Sequence, residues 1–168
     1  MVDAGGFHPD LRVELLDGEI VNKMSPQGRP HVTAILCTEI ALRSAFGSGV
    51  TIYNQSPFNA DDISVPEPDL AVVSGGPRDY LVEHPSEALL LVEVSDSTLR
   101  DDLTRKARIY ARSGVPEYWV VDLPNQALVV HRVPTGEVYM SIEVYSVDAS
   151  VSPLNAPDAS IPVSDLLP

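Results

Sequence analysis

The sequence predicts an α/β fold with a mixed sheet, in the order β-hairpin, α, β, β, β, α, β and a C-terminal β extension. Three observations carry this reading. Asp17-Gly18 separates two β-rich runs, two stretches of helical period are each closed by glycine, and the strand-sized apolar run Leu89 to Val94 lies between those helices. At 168 residues the chain can bury its own core without a metal or disulfide staple. It reads as a single domain over 1–168, with its core at about 12–146 and a weakly docked tail at 147–168.

Taken in order, Arg12 to Leu16 and Glu19 to Val21 form a hairpin, since Asp-Gly supplies the positive backbone angles that a two-residue turn requires. After the connector SPQGRP, residues 31–46 carry Val32, Ile35, Leu36, Ile40 and Leu42 at helical spacing and meet Gly47 and Gly49. Val50 to Tyr53 and Leu70 to Val73 are β-rich, the second entered through Pro66-Glu67-Pro68-Asp69, whose prolines hold the chain extended. Leu89 to Val94 is apolar enough to be buried on both faces. The second helix spans about 98–113. It has capping-box character at Thr98-Leu-Arg-Asp101, a stripe of Leu103, Ala107, Tyr110 and Ala111, and a stop at Gly114. Glu117 to Leu123, Ala127 to Val133 and Val138 to Tyr145 complete the strands. Beyond about residue 147, Ser, Pro, Asp and Ala dominate, with Ile161, Val163, Leu166 and Leu167 as docking points.

Composition narrows the function classes. No apolar run approaches the roughly 18 to 20 residues that span a bilayer, so no membrane association is expected. The lone Cys37 and an N-terminus without a basic start or apolar core point to the cytoplasm. A formal charge of -13 opposes non-specific nucleic-acid binding, because an acidic surface repels phosphate. Basic charge is nevertheless local. Residues 99–114 hold Arg100, Arg105, Lys106, Arg108 and Arg112 against Asp101 and Asp102, a net +3, so the remainder carries -16. That makes a small phosphate-facing patch. His8, His31, His84 and His131 show no zinc-ligand spacing.

The residue that most needs explaining is Glu93, at the end of the apolar strand. Alternation puts it on one face with Leu89, Leu91 and Ser95. A carboxylate there needs a cation, a basic side chain or backbone donors, because an unpaired buried charge costs several kcal/mol. Asp69 opens another strand; if the two strands are neighbours, both acids converge at one sheet end as hard oxygen ligands for Mg²⁺ or Mn²⁺. Lys106, on the helix that follows the Glu93 strand, can lean back over the strand end to activate water or offset transition-state charge. Plainer readings stand beside these. Glu93 can mark where a strand meets solvent, Asp69 can be a turn acid, and Lys106 can pair with Asp102 four residues earlier.

The set VELLDGEIVNKMSPQGRPH, VPEPDLAVV, LLLVEVSDST and DDLTRKARIYARSGVPEYWVVDL resembles the Uma family of endonucleases with a restriction-endonuclease-like (PD-(D/E)xK) fold. The resemblance covers about residues 12–133, and Glu93 to Asp122 is its most specific part. It implies an αβββαβ core with a metal-dependent nuclease site. Asp69 and Glu93 match the two acids of the pattern. Ser95 stands at the usual lysine position, so Lys106 is implied to take that role from the helix. Glu14, in VELLDGE, is the first choice for a further acid, and Glu39 the second. The resemblance, with the strand-rich C-terminal half, also suggests a homodimer.

The leading expectation is a Mg²⁺- or Mn²⁺-dependent endonuclease acting on DNA, with Asp69, Glu93, Lys106 and Glu14 as catalytic residues and Asp69 and Glu93 on the metal. DNA binding should be weak and salt-sensitive. Two alternatives compete. One is a non-catalytic interaction or regulatory module on the same scaffold, favoured by the acidic balance and the displaced lysine. The other is a phosphoester hydrolase acting on small nucleotides, which needs no basic groove. Convergence of Asp69, Glu93 and Lys106 favours the enzyme, whereas Lys106 in solvent favours the module.

Overall fold

The computed structural model describes residues 12–23 and 28–168. The readings of the N-terminal stretch, including His8, and of Ser25, Pro26 and Gln27 in the connector lie outside the described residues. β1 (Val13–Leu16) and β2 (Glu19–Asn22) pair antiparallel with Leu16 opposite Glu19. Their turn places Asp17 and Gly18 at φ 51° and 78°, the left-handed pair that this hairpin type requires.

Helix α1 (Arg29–Phe46) has Pro30 in its first turn and ends at Gly47, whose φ is 63°. It buries Ala34, Ile35, Thr38 and Leu42, while Val32, Leu36 and Ile40 are exposed. The expected stripe therefore divides. Residues 32, 36 and 40 form a row about 160° around the helix from the buried row of 34, 38 and 42.

Six strands form one sheet in sequence order: β3 (Val50–Asn54), β4 (Leu70–Ser74), β5 (Leu90–Ser95), β6 (Glu117–Asp122), β7 (Ala127–Thr135) and β8 (Val138–Ser146). All neighbours are antiparallel except β5 and β6, which run parallel. A parallel pair needs a crossover, and helix α2 supplies it. That helix is continuous but not uniform: Leu99–Asp101 is α-helical, Asp102–Lys106 is a π turn and Ala107–Arg112 is α-helical again. It stops at Gly114, with φ 76°, where Gly114 and Val115 donate back to the carbonyls of Ala111 and Tyr110. The expected capping box is absent. The Thr98 hydroxyl instead donates to the Asp102 carboxylate at 2.7 Å.

The central strands β4, β5 and β6 are buried on both faces, whereas the outer strand β8 exposes Val138, Met140, Ile142 and Val144. On one face, α1 covers Leu70, Val72, Leu90, Val92, Val94, Trp119 and Val121. On the other, Leu16 and α2, through Ala107, Ile109, Tyr110 and Ala111, cover Ala71, Val73, Leu91, Tyr118 and Val120. The C-terminal segment departs from the weak docking expected of it. Val151 in β9 (Ser150–Val151), Ile161 in β10 (Ile161–Pro162), Val163 and Leu166 are buried in the cluster beneath α1. Full burial of such side chains contributes roughly 1.5 to 3 kcal/mol each, so this segment is part of the core.

Candidate active site

β4 and β5 pair antiparallel with Leu70 opposite Val92; one step further along that register, Asp69 stands opposite Glu93. Both are 2% exposed. Their strand parity points them to the α2 face, with Ala71, Val73 and Leu91. Like charges directly opposite across a sheet repel, so what surrounds them decides what the pair is for.

Glu93 Oε1 accepts from Lys106 Nζ and from the Tyr110 hydroxyl, each at 2.8 Å. Lys106 Nζ also donates to Glu14 Oε1 at 2.9 Å, which brings β1 into the same site. The face of α2 shared by Asp102 and Lys106 is turned to the sheet end: both are buried, and the π turn that carries them is a helix form common at functional sites. Lys106 does not pair with Asp102. The Asp102 carboxylate accepts instead from Ser95 Oγ at 2.5 Å and from Thr98.

Asp69 has different company. Its Oδ2 accepts from the Val94 backbone N–H at 2.8 Å, with His31 Nε2 at 3.6 Å; its Oδ1 accepts from Gln55 at 3.3 Å, with Lys23 Nζ at 3.9 Å. His31 Nε2 donates to the Val94 carbonyl at 2.7 Å. The carbonyl has no proton to give, so the imidazole carries one on Nε2. All these groups, except Tyr110, Ser95 and Gln55, line one pocket of about 470 Å³ with Arg105, Ser97 and Asp101 at its wall.

The environments drive the two opposed acids apart. Burial alone would raise Asp69, but His31, Lys23 and the Val94 N–H outweigh it and hold the carboxyl at about 2. Glu93 is pushed up to about 8, first by burial and then by the charges of Asp69 and Asp102, against the opposing pull of Lys106. Burial would lower Lys106, yet Glu93 and Glu14 hold it above its ordinary value. It stays an ammonium at neutral pH. Burial would also lower His31, and Asp69 raises it beyond that effect.

The chain matches a known family. The Uma2 family, described as "Putative restriction endonuclease", matches residues 3–164. This chain belongs to the Uma2 family. A solved structure described as a "putative nuclease belonging to DUF820", from Anabaena variabilis ATCC 29413, is 20% identical over 92% of this chain and 88% of its own, with a TM-score of 0.70. That likeness shows the fold, which is restriction-endonuclease-like as expected. Among curated proteins none matches this chain.

Within this Uma2 chain the structure brings Asp69, Glu93, Lys106 and Glu14 together. Glu39 is not among them. It faces away on α1, bound by Arg43 and Asn54. Three further participants were not legible. Lys23 and His31 flank the connector between β2 and α1, and no spacing marks them as neighbours of Asp69. Tyr110 reads as one residue of an apolar stripe, and only packing shows its hydroxyl on Glu93. The basic patch is also rearranged. Arg105, Arg108 and Arg112 are engaged by the carboxylates of Asp17, Glu19, Asp61 and Glu137. Four acids from the hairpin and neighbouring loops take the positions expected of phosphates.

Among the described residues no group of three or more His, Cys, Asp or Glu side chains is placed to hold a metal ion. Two carboxylates nevertheless face each other at the pocket, and the bonds described above leave Glu93 Oε2 without a donor among the described residues. A pair of hard oxygen donors suits Mg²⁺ or Mn²⁺, which keep several waters and bind through one or two carboxylates plus substrate phosphate. The repulsion that helps lift Glu93 is the kind of strain that a divalent cation relieves. The donor set fits the metal expected of the fold.

Proposed function

We propose that this Uma2 chain is a divalent-metal-dependent nuclease that hydrolyses DNA phosphodiester bonds. One observation carries the reading: Lys106 Nζ lies between Glu14 and Glu93, within a pocket that Asp69 also enters. Asp69 and Glu93 would hold the ion, which supplies charge neutralisation at the phosphate and acidifies a bound water. Lys106 keeps its proton, because Glu14 Oε1 and Glu93 Oε1 both accept from its ammonium. It therefore acts as a fixed cation and donor toward the phosphoryl oxygens. Glu14 fixes the Lys106 ammonium and is itself fixed by the Glu67 N–H at 2.7 Å. Tyr110 holds the Glu93 carboxyl from the core side. His31 and Lys23 keep Asp69 ionised.

Calorimetry with Mn²⁺ on wild type, Asp69→Ala and Glu93→Ala, with plasmid cleavage at low salt on the same samples, tests this directly. Binding and cleavage that disappear together in both variants are expected. A non-catalytic module on the same scaffold is favoured by the -13 charge and by the arginines already engaged within the chain. Its signature is metal binding without cleavage. Cleavage of small nucleotide phosphoesters in place of DNA would mark the third reading. The proposal includes a cytoplasmic location and a homodimer, the latter tested by particle mass in light scattering.

A further inference from the structure

Arg105, Arg108 and Arg112 stand at i, i+3 and i+7 on α2, one stripe of about 10 Å along the helix. The stripe starts at the pocket, since Arg105 lines it together with Glu93 and Lys106. All three guanidiniums converge on the Asp17 carboxylate: Arg108 at 2.6 Å, Arg112 at 2.8 Å and Arg105 at 3.6 Å. Glu19 takes a further bond from Arg105 at 3.0 Å, and Asp61 and Glu137 take two from Arg112. The hairpin has anchors besides these ion pairs and the bond from Arg105 to the Leu16 carbonyl at 2.6 Å. Leu16 is buried, Leu15 exchanges backbone bonds with Val65, and Gly18 N–H donates to the Ile63 carbonyl at 2.7 Å. Carboxylates at the hairpin turn can leave the arginines while Glu14 stays at the site.

We propose that Asp17 and Glu19 act as internal phosphate mimics on a track for duplex DNA that runs from the pocket along Arg105, Arg108 and Arg112. The DNA backbone must displace them to reach the active site. The inference rests on the DNA reading above and adds the surface and its control. In a chain of net charge -13, a row of cations next to the pocket offsets the repulsion of a polyanion beyond the reacting phosphate. Arg108 is half exposed and Glu19 is 72% exposed, whereas Asp17, Arg105 and Arg112 are 20 to 27% exposed, so phosphate meets Arg108 and Glu19 first and reaches the other two arginines as Asp17 swings away. Each phosphate that replaces a carboxylate exchanges one acceptor for another of like charge. The displaced carboxylate then reduces the affinity of every complex, specific or not.

The test is fluorescence anisotropy of a labelled duplex of about 20 base pairs in EDTA, so that cleavage cannot interfere, over a range of salt. Asn tolerates the left-handed conformation that Asp17 adopts, so Asp17→Asn keeps the turn. It is expected to bind about tenfold more tightly than wild type, with a salt slope steeper by about 1 to 2. Asp158→Asn, the same charge change in the turn before β10, should leave both unchanged. Arg108→Gln should weaken binding and cancel the gain of Asp17→Asn in the double variant. If Asp17→Asn fails to fold, Glu19→Gln is read instead, with about threefold tighter binding expected. If Asp17→Asn matches the Asp158→Asn control while wild type still cleaves plasmid, the inference is overturned and the nuclease reading survives. If no variant binds duplex and wild type does not cleave, both are overturned.

Discussion

Glu93→Gln separates a site residue from a structural one. Glu93 lifts from an ordinary 4.5 to about 8 in the folded chain, chiefly through burial. The folded protein therefore binds this proton more tightly than the unfolded chain does. The stabilisation it brings is complete below about pH 4.5 and is lost as the pH rises through about 8. At about 1.36 kcal/mol per unit, the carboxyl costs roughly 3 kcal/mol at pH 7 and less than about 1 kcal/mol at pH 5. Gln keeps the shape of the protonated acid and carries no charge. The variant should thus be more stable than wild type by up to about 3 kcal/mol at pH 7, or about 6 to 12 °C for a chain of this length. Urea unfolding in EDTA at pH 5, 6 and 7 measures the gap, which should widen with pH. The same variant should bind no Mn²⁺. Greater stability with lost function is the expected signature of an acid held at a site against its own preference. A Gln variant less stable than wild type at pH 7, or a gap that does not change with pH, would refute this. Glu93 would then be an ionised anchor for Lys106.

Three further outcomes follow from the same geometry. Lys106→Met leaves the buried Glu14 without its cation; it should abolish cleavage and lower stability by about 3 to 5 kcal/mol in urea unfolding, with part of the loss recovered in the Lys106→Met/Glu14→Gln double variant. Mn²⁺ must displace the Glu93 proton, so its affinity should rise between pH 6 and 9, and calorimetry in buffers of different ionisation enthalpy should detect up to about one proton released per ion. Leu166→Ala, in the segment packed beneath α1 and remote from the pocket, should cost about 2 to 5 kcal/mol in chemical unfolding, with metal binding by the folded fraction unchanged.

Much of the fold was legible because its signals are local. Asp17-Gly18 specifies a two-residue turn through backbone angles that few other pairs adopt. Gly47 and Gly114 end the two helices for the same reason, and the apolar run of β5 identifies a strand buried on both faces. Strand alternation placed Glu93 and Ser95 on one face before any contact was known, and the position of Asp69 at the head of β4 made convergence conditional only on the two strands being neighbours. Registers and partners across the chain were not legible, since nothing within a few residues encodes them. Lys106 finds Glu14 across 92 residues of sequence and Arg112 finds Asp17 across 95. A lysine four residues after an aspartate reads equally well as a surface pair, and only the packing of α2 on the sheet buries Lys106 against Glu93. The same packing gives the arginine row to the hairpin acids, and it draws a Ser- and Pro-rich C-terminal segment into the core through four well-spaced apolar side chains. Local chemistry decided which residues could serve; the register of β4 against β5 and the seat of α2 decided which of them meet.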